Sequence, residues 1–106
     1  MGLDQVFHAL ADPTRRKVVE RLVTGSASTS ELARPFDMAL PSFTQHLKVL
    51  EGAGLVTSTK QGRVRTYRLA PAALALADGW MADKRRLWEQ RLDQLDTFLD
   101  NLKEKR

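Results

Sequence analysis

Apolar residues recur at helical spacing from the start of the chain. Leu3, Val6, Phe7 and Leu10 fall three and four residues apart and predict a short amphipathic helix. Asp12-Pro13 opens a second, because an Asp side chain satisfies an orphaned backbone N–H and a proline at the first turn loses no bond. Val18, Val19, Leu22 and Val23 form its inner face, Arg15, Arg16, Lys17, Glu20 and Arg21 lie outside, and Gly25 stops it. Ser28-Thr29-Ser30-Glu31 reads as a reciprocal cap for a third helix, which turns Leu32 and Ala33 inward and which Pro35 keeps short. Residues 36–40 connect to a fourth helix, predicted from Pro41 to Ala53. Phe43, Leu47 and Leu50 face inward on it, Val49 partly so, and Gly54 ends it.

The period then changes. Leu55 to Lys60 and Val64 to Leu69 are β-prone runs joined by Gln61-Gly62-Arg63, which predicts a hairpin. Pro71 starts a last helix expected to reach the C-terminus with a break near Gly79, the charged tail Lys103 to Arg106 fraying. Met81, Trp88, Leu92, Leu95, Leu99 and Leu102 form one seam at spacings of 7, 4, 3, 4 and 3, with Arg85 as its polar interruption. Too little chain remains to cover such a stripe, so a second copy is its expected cover. Leu3, Val6 and Phe7 either join that interface or close the core of one copy.

Composition sharpens the picture in three places. The 106 residues suit one domain, 42% apolar as in ordinary globular chains. Neither a secretory leader nor a membrane span is apparent, so a cytoplasmic protein is expected. No cysteine is present, which excludes disulfides and thiolate metal sites within the chain. The net charge of +4 is localised: residues 38–70 carry Lys48, Lys60, Arg63, Arg65 and Arg68 against Glu51 alone, while residues 1–37 and 71–106 each balance as a block. A solvated face by chance and a polyanionic partner both fit that cluster taken alone.

Helix, short turn, helix and basic hairpin form the layout of a winged helix-turn-helix, mainly α with a small β-hairpin. Residues 1–70 would be the nucleic-acid-binding part and 71–106 a dimerisation helix of the same domain. The fourth helix must be polar on its outer face to enter a major groove about 12 Å wide. Ser42, Thr44, Gln45, Lys48 and Glu51 supply that face, all but Glu51 able to donate to bases or phosphates. Gln45 can pair bidentately with adenine, Ser42 or Thr44 can meet a base edge or phosphate, and Lys48 suits the backbone. The hairpin would lie beside that helix and place Arg63, with Lys60 and Arg65, near neighbouring phosphates or the minor groove. An ordinary solvated turn is the alternative, but Arg63 and Arg65 flank Val64, so alternation puts both on one side and favours an arranged patch.

The runs Ala9-Leu10-Ala11-Asp12-Pro13-Thr14-Arg15-Arg16 and Gln45-His46-Leu47-Lys48-Val49-Leu50-Glu51-Gly52-Ala53-Gly54-Leu55-Val56 resemble the ArsR-like family of repressors. Gly62-Arg63 with Tyr67-Arg68-Leu69 is similar to that family's wing. The likeness covers about residues 3–70, and the last helix more loosely. It implies a homodimeric repressor of double-stranded operator DNA whose terminal helices pair and whose two reading helices stand about one DNA turn apart. His46 matches a frequent family His; it either touches phosphate or packs beside the wing and ties down a loop.

The departures carry information as well. Many relatives sense metals through cysteines in the third helix or Asp/His clusters in the last; here Ser30 to Arg34 has no thiol and the last helix no His. No metal and no cofactor is expected, and His8 is a surface or dimer-contact residue. Trp80 and Trp88-Glu89-Gln90-Arg91-Leu92-Asp93 look like the metal-free branch. Ala39 replaces a common Ser cap, which weakens base contacts from 39–41. Trp80 and Trp88 either line a pocket for an unidentified small-molecule effector or pack in the seam. No Ser/His/acid order, phosphate-cradling glycine loop or converging carboxylate pair suggests an enzyme. The competing reading is a winged-helix module that binds proteins and not DNA, and the polar face of 41–53 argues against it.

Overall fold

The computed structural model describes residues 2–104. Its elements are α1 (Leu3–Leu10), α2 (Pro13–Val23), β1 (Ala27–Ser28), α3 (Thr29–Ala33), α4 (Leu40–Gly52), β2 (Val56–Gln61), β3 (Val64–Leu69) and α5 (Pro71–Glu104). Local chemistry explains most of these boundaries. Asp12 caps α2 by accepting from the Arg15 N–H at 3.0 Å, with Pro13 in the first turn. Ser28 and Glu31 form the reciprocal cap of α3, the Ser28 N–H donating to Glu31 Oε1 at 3.1 Å and the Glu31 N–H to Ser28 Oγ at 3.2 Å. Gly54, at φ +77°, turns the chain out of α4 through a backbone conformation that side chains resist.

The hairpin closes where the sequence predicts. Gln61 pairs with Val64 around Gly62 at φ +59° and Arg63. A third strand joins it that the sequence reading lacks: Ala27 pairs with Tyr67 and Ser28 with Thr66, giving the antiparallel order β1-β3-β2. Two residues are too few to show an alternating pattern, so only the edge offered by β3 makes a strand of them.

Phe43, Leu47 and Leu50 of α4 pack fully buried among Val18 and Leu22 of α2, Leu32 of α3, Leu55, Val56 and Tyr67 of the sheet, and Ala73 and Ala77 of α5. Val6 belongs here too. It is fully buried within one copy, so its expected place in a dimer interface is corrected: no surface remains to meet a partner. Side chains of this size contribute about 1.5–3 kcal/mol each when removed from water.

The last helix runs 34 residues without the break expected at Gly79. A helical glycine costs only about 1 kcal/mol relative to alanine, and propagation on both sides outweighs it. Lys103 and Glu104 remain helical; the last two residues of the tail expected to fray lie outside the described residues. Only Ala73 and Ala77 of α5 are buried. The extents of 76 × 26 × 23 Å and radius of gyration of 20.5 Å record a helix projecting far from its domain, since a compact chain of this length would have a radius of about 13 Å.

Candidate nucleic-acid interface

On α4, Ser42, Gln45 and Lys48 are exposed, as the helical period requires. Thr44 is half-buried and its hydroxyl donates to the Leu40 carbonyl at 2.9 Å, so it can offer an incoming group only its lone pairs. His46 points elsewhere. Its Nδ1 lies 3.1 Å from Arg15 Nη1 and 3.7 Å from Asp12 Oδ2, at the start of α2. Arg15 also donates from Nε to the Ala9 carbonyl at 2.8 Å and from Nη2 to the His8 carbonyl at 3.1 Å. One guanidinium therefore fastens the end of α1, the cap of α2 and the middle of α4. The His46 contact is thus to the start of α2, and not to the wing or a loop carbonyl. Burial acts to raise the Asp12 pKa, but the Arg15 N–H bond and the charges of His46 and Arg15 outweigh it and hold the carboxyl below its ordinary 3.8.

Strand alternation builds the other wall. Val56 and Leu69, Ser58 and Tyr67, and Lys60 and Arg65 are successive cross-strand pairs on one face of the hairpin. That face is apolar and buried at its base and cationic at its tip. With α4 it encloses a concave cleft of about 460 Å³ lined by Thr29, Thr44, Lys48, Glu51, Lys60, Arg63, Arg65 and Tyr67. Five expected site residues thus converge: Thr44, Lys48, Lys60, Arg63 and Arg65. Ser42 and Gln45 stand on the neighbouring outer face of α4, outside this cleft.

Sequence reasoning missed Ser58, Glu51, Thr29 and Tyr67 as parts of this wall. Arg65 Nη1 donates to Ser58 Oγ at 2.9 Å, and the Ser58 hydroxyl donates to Glu51 Oε2 at 3.1 Å, linking wing to α4. Burial, with the nearby Glu51 carboxylate, raises the Tyr67 pKa, while Arg65 works against it; the phenol stays protonated at neutral pH. The single acid in a basic stretch was the one signal that could have drawn attention to Glu51 as a partner of the wing.

The seam residues Met81, Trp88, Leu92, Leu95, Leu99 and Leu102 are all 43–60% exposed. Leu87 and Phe98, beside the seam and not on it, are exposed to a similar degree and widen the apolar arc beyond a strict heptad stripe. Leu3 is half-buried at the edge of the core. Phe7 stacks edge-on against Trp80, with ring centres 5.6 Å apart, and Lys84 Nζ sits 5.6 Å from the Trp80 ring centre. Trp80 and Trp88 do not share a pocket: eight residues separate them by about 12 Å along the helix. Among the described residues, no three His, Asp or Glu side chains come together as metal ligands would, and no helix is long and apolar enough to cross a membrane.

Three helices around α4, followed by a β-hairpin wing, define a winged helix-turn-helix protein. The helix-turn-helix domain family matches residues 10–59. The HTH-type transcriptional regulator Rv2034 of Mycobacterium tuberculosis is 40% identical over 98 residues, covering 92% of this chain and 89% of that one. The transcriptional repressor SdpR of Bacillus subtilis is 32% identical over 79 residues, 74% and 88% of the two chains. The crystal structure of the ArsR family transcriptional regulator RHA00566 superposes with a TM-score of 0.80 at 50% identity, over 82% and 90% of the chains. The solution structure of a homodimeric winged helix-turn-helix DNA-binding domain, Mb0332 of Mycobacterium bovis, does so at 0.61 and 26%, over 79% and 80%. The chain belongs to the ArsR family of helix-turn-helix transcriptional regulators.

Proposed function

We propose that this chain is a homodimeric, sequence-specific repressor that reads an inverted repeat in double-stranded DNA. The observation that carries the reading is the cationic cleft between α4 and the wing, where Lys48, Lys60, Arg63 and Arg65 face one concave surface. With α4 in the major groove, Ser42 and Gln45 meet base edges, while Lys48 and the wing cations meet phosphates on either side. His46 serves the site from behind by fixing α4 to α2. The protein would work in the cytoplasm, where it blocks polymerase access. Residues 1–70 then carry DNA binding and 71–106 dimerisation.

The exposed seam of α5 supports the dimer, and the fold supports one way of forming it. Leu74, seven residues before Met81, lies on the same stripe and packs against its own core. Each domain thus occupies the first part of the face that its partner's helix must cover. Parallel helices would bring two domains into one space; antiparallel helices place each domain beyond the other's C-terminal end. A genomic pull-down followed by duplex titration at several salt concentrations tests the whole reading. Affinity should fall by a logarithmic slope of about 0.9 per phosphate contacted, and a salt-independent or absent interaction would refute it.

A further inference from the structure

A separate cleft opens between α2 and α3, lined by none of the residues of the DNA-facing cleft. Its volume is about 190 Å³. Val18, Leu32 and Phe36 give it an apolar floor, and Lys17 and Arg21 stand at its rim. Among the described residues Lys17 has no ion pair. Arg21 uses Nη1 on Thr24 Oγ1 and the Gly25 carbonyl, both at 3.2 Å, so its remaining N–H groups are available. Glu31 also lines the cleft, but its carboxylate is held by the Ser28 N–H and its pKa is lowered by that cap. The lining keeps an excess of one positive charge over an apolar floor.

We propose that this cleft binds a small carboxylic acid with a monocyclic apolar body, and that its occupancy moves α4. Size sets the class. A dry cavity of about 150 Å³ holds a benzene ring, so this one takes a ring plus a carboxylate and excludes a nucleotide or cofactor. Charge sets the orientation, with the ring on Val18, Leu32 and Phe36 and the carboxylate toward Lys17 and Arg21. The coupling is a tilted aromatic pair. Phe36 lies 5.3 Å from Phe43, ring centre to ring centre, and Phe43 is fully buried on the inner face of α4 between Ser42 and Thr44. A ligand ring seated on Phe36 therefore bears on the anchor of α4 through this contact. Only this regulatory half rests on α4 being the reading helix.

The test is titration of the full-length protein with benzoate, followed by amide NMR, with benzamide as the uncharged control. Saturable shifts are expected at Val18, Leu32 and Phe36, continuing to Phe43. Benzamide, and benzoate with the exposed-site variant Lys17→Gln, should each bind about tenfold more weakly, as loss of a charge-assisted bond requires. Shifts confined to the wing or α5, no saturation, or equal affinity of Lys17→Gln would overturn the site. A stationary Phe43 in a saturated protein would overturn the coupling. Duplex binding and oligomeric state measured without benzoate report on the proposed repressor separately, so the two failures are distinguishable.

Discussion

The guanidinium of Arg15 and the imidazole of His46 meet at 3.1 Å across thirty-one residues of sequence, the first held in place by α1 carbonyls and the second by α4. The contact sets the height of α4 above the cap of α2.

His46→Ala is therefore expected to lower duplex affinity several-fold and melting temperature by a few degrees, the loss of one buried-edge hydrogen bond being about 1 kcal/mol. The logarithmic salt slope should stay unchanged. A slope reduced by about one would mean that His46 touches phosphate instead.

The cleft residues should separate by role. Arg63→Ala is expected to weaken binding to every duplex alike and to reduce the salt slope by about one. Gln45→Ala should instead change the preferred base at one position per half-site, costing about 1–3 kcal/mol against the best sequence. Selection of bound duplexes from a random pool measures the second. An unaltered preference would remove Gln45 from the reading face.

Leu95→Glu places a charge in the exposed seam of α5 and should leave a folded monomer with poor operator affinity; sedimentation gives the mass directly. Because the chain has no cysteine, single replacements report helix direction cleanly. An antiparallel pair covering 81–102 crosses near residue 92, so Leu92→Cys should form an intermolecular disulfide on oxidation and Leu102→Cys should not. Efficient linkage at Leu102→Cys would show a parallel pair.

Acid should weaken the fold through the two caps. Asp12 and Glu31 both have pKa values below their ordinary 3.8 and 4.5. For a lowered carboxylate the unfolded chain binds protons first, so the stabilisation is complete above those ordinary values and is lost as pH falls through the lowered ones. The melting temperature of the native protein should exceed that of Asp12→Asn/Glu31→Gln at neutral pH, and the gap should close as the pH falls through the lowered values. A constant gap would trace the effect to hydrogen-bond geometry alone.

Much was legible before any folding. The pairs Asp12-Pro13 and Ser28/Glu31, the hairpin around Gly62, and the seam from Met81 to Leu102 all follow from contacts within a few residues, where helical or strand periodicity fixes who meets whom. Tertiary structure alone decided which of those faces stay open. It buried Val6, left Leu87 and Phe98 bare beside the seam, turned Ala27 and Ser28 into a strand, and drew His46 onto Arg15. The line from Arg65 through Ser58 to Glu51, and the tilted contact of Phe36 with Phe43 beside the α2–α3 cleft, were equally out of reach. Each depends on the angles at which separate elements cross, and those angles are set by the packing of the whole core at once, not by the spacing of residues along the chain.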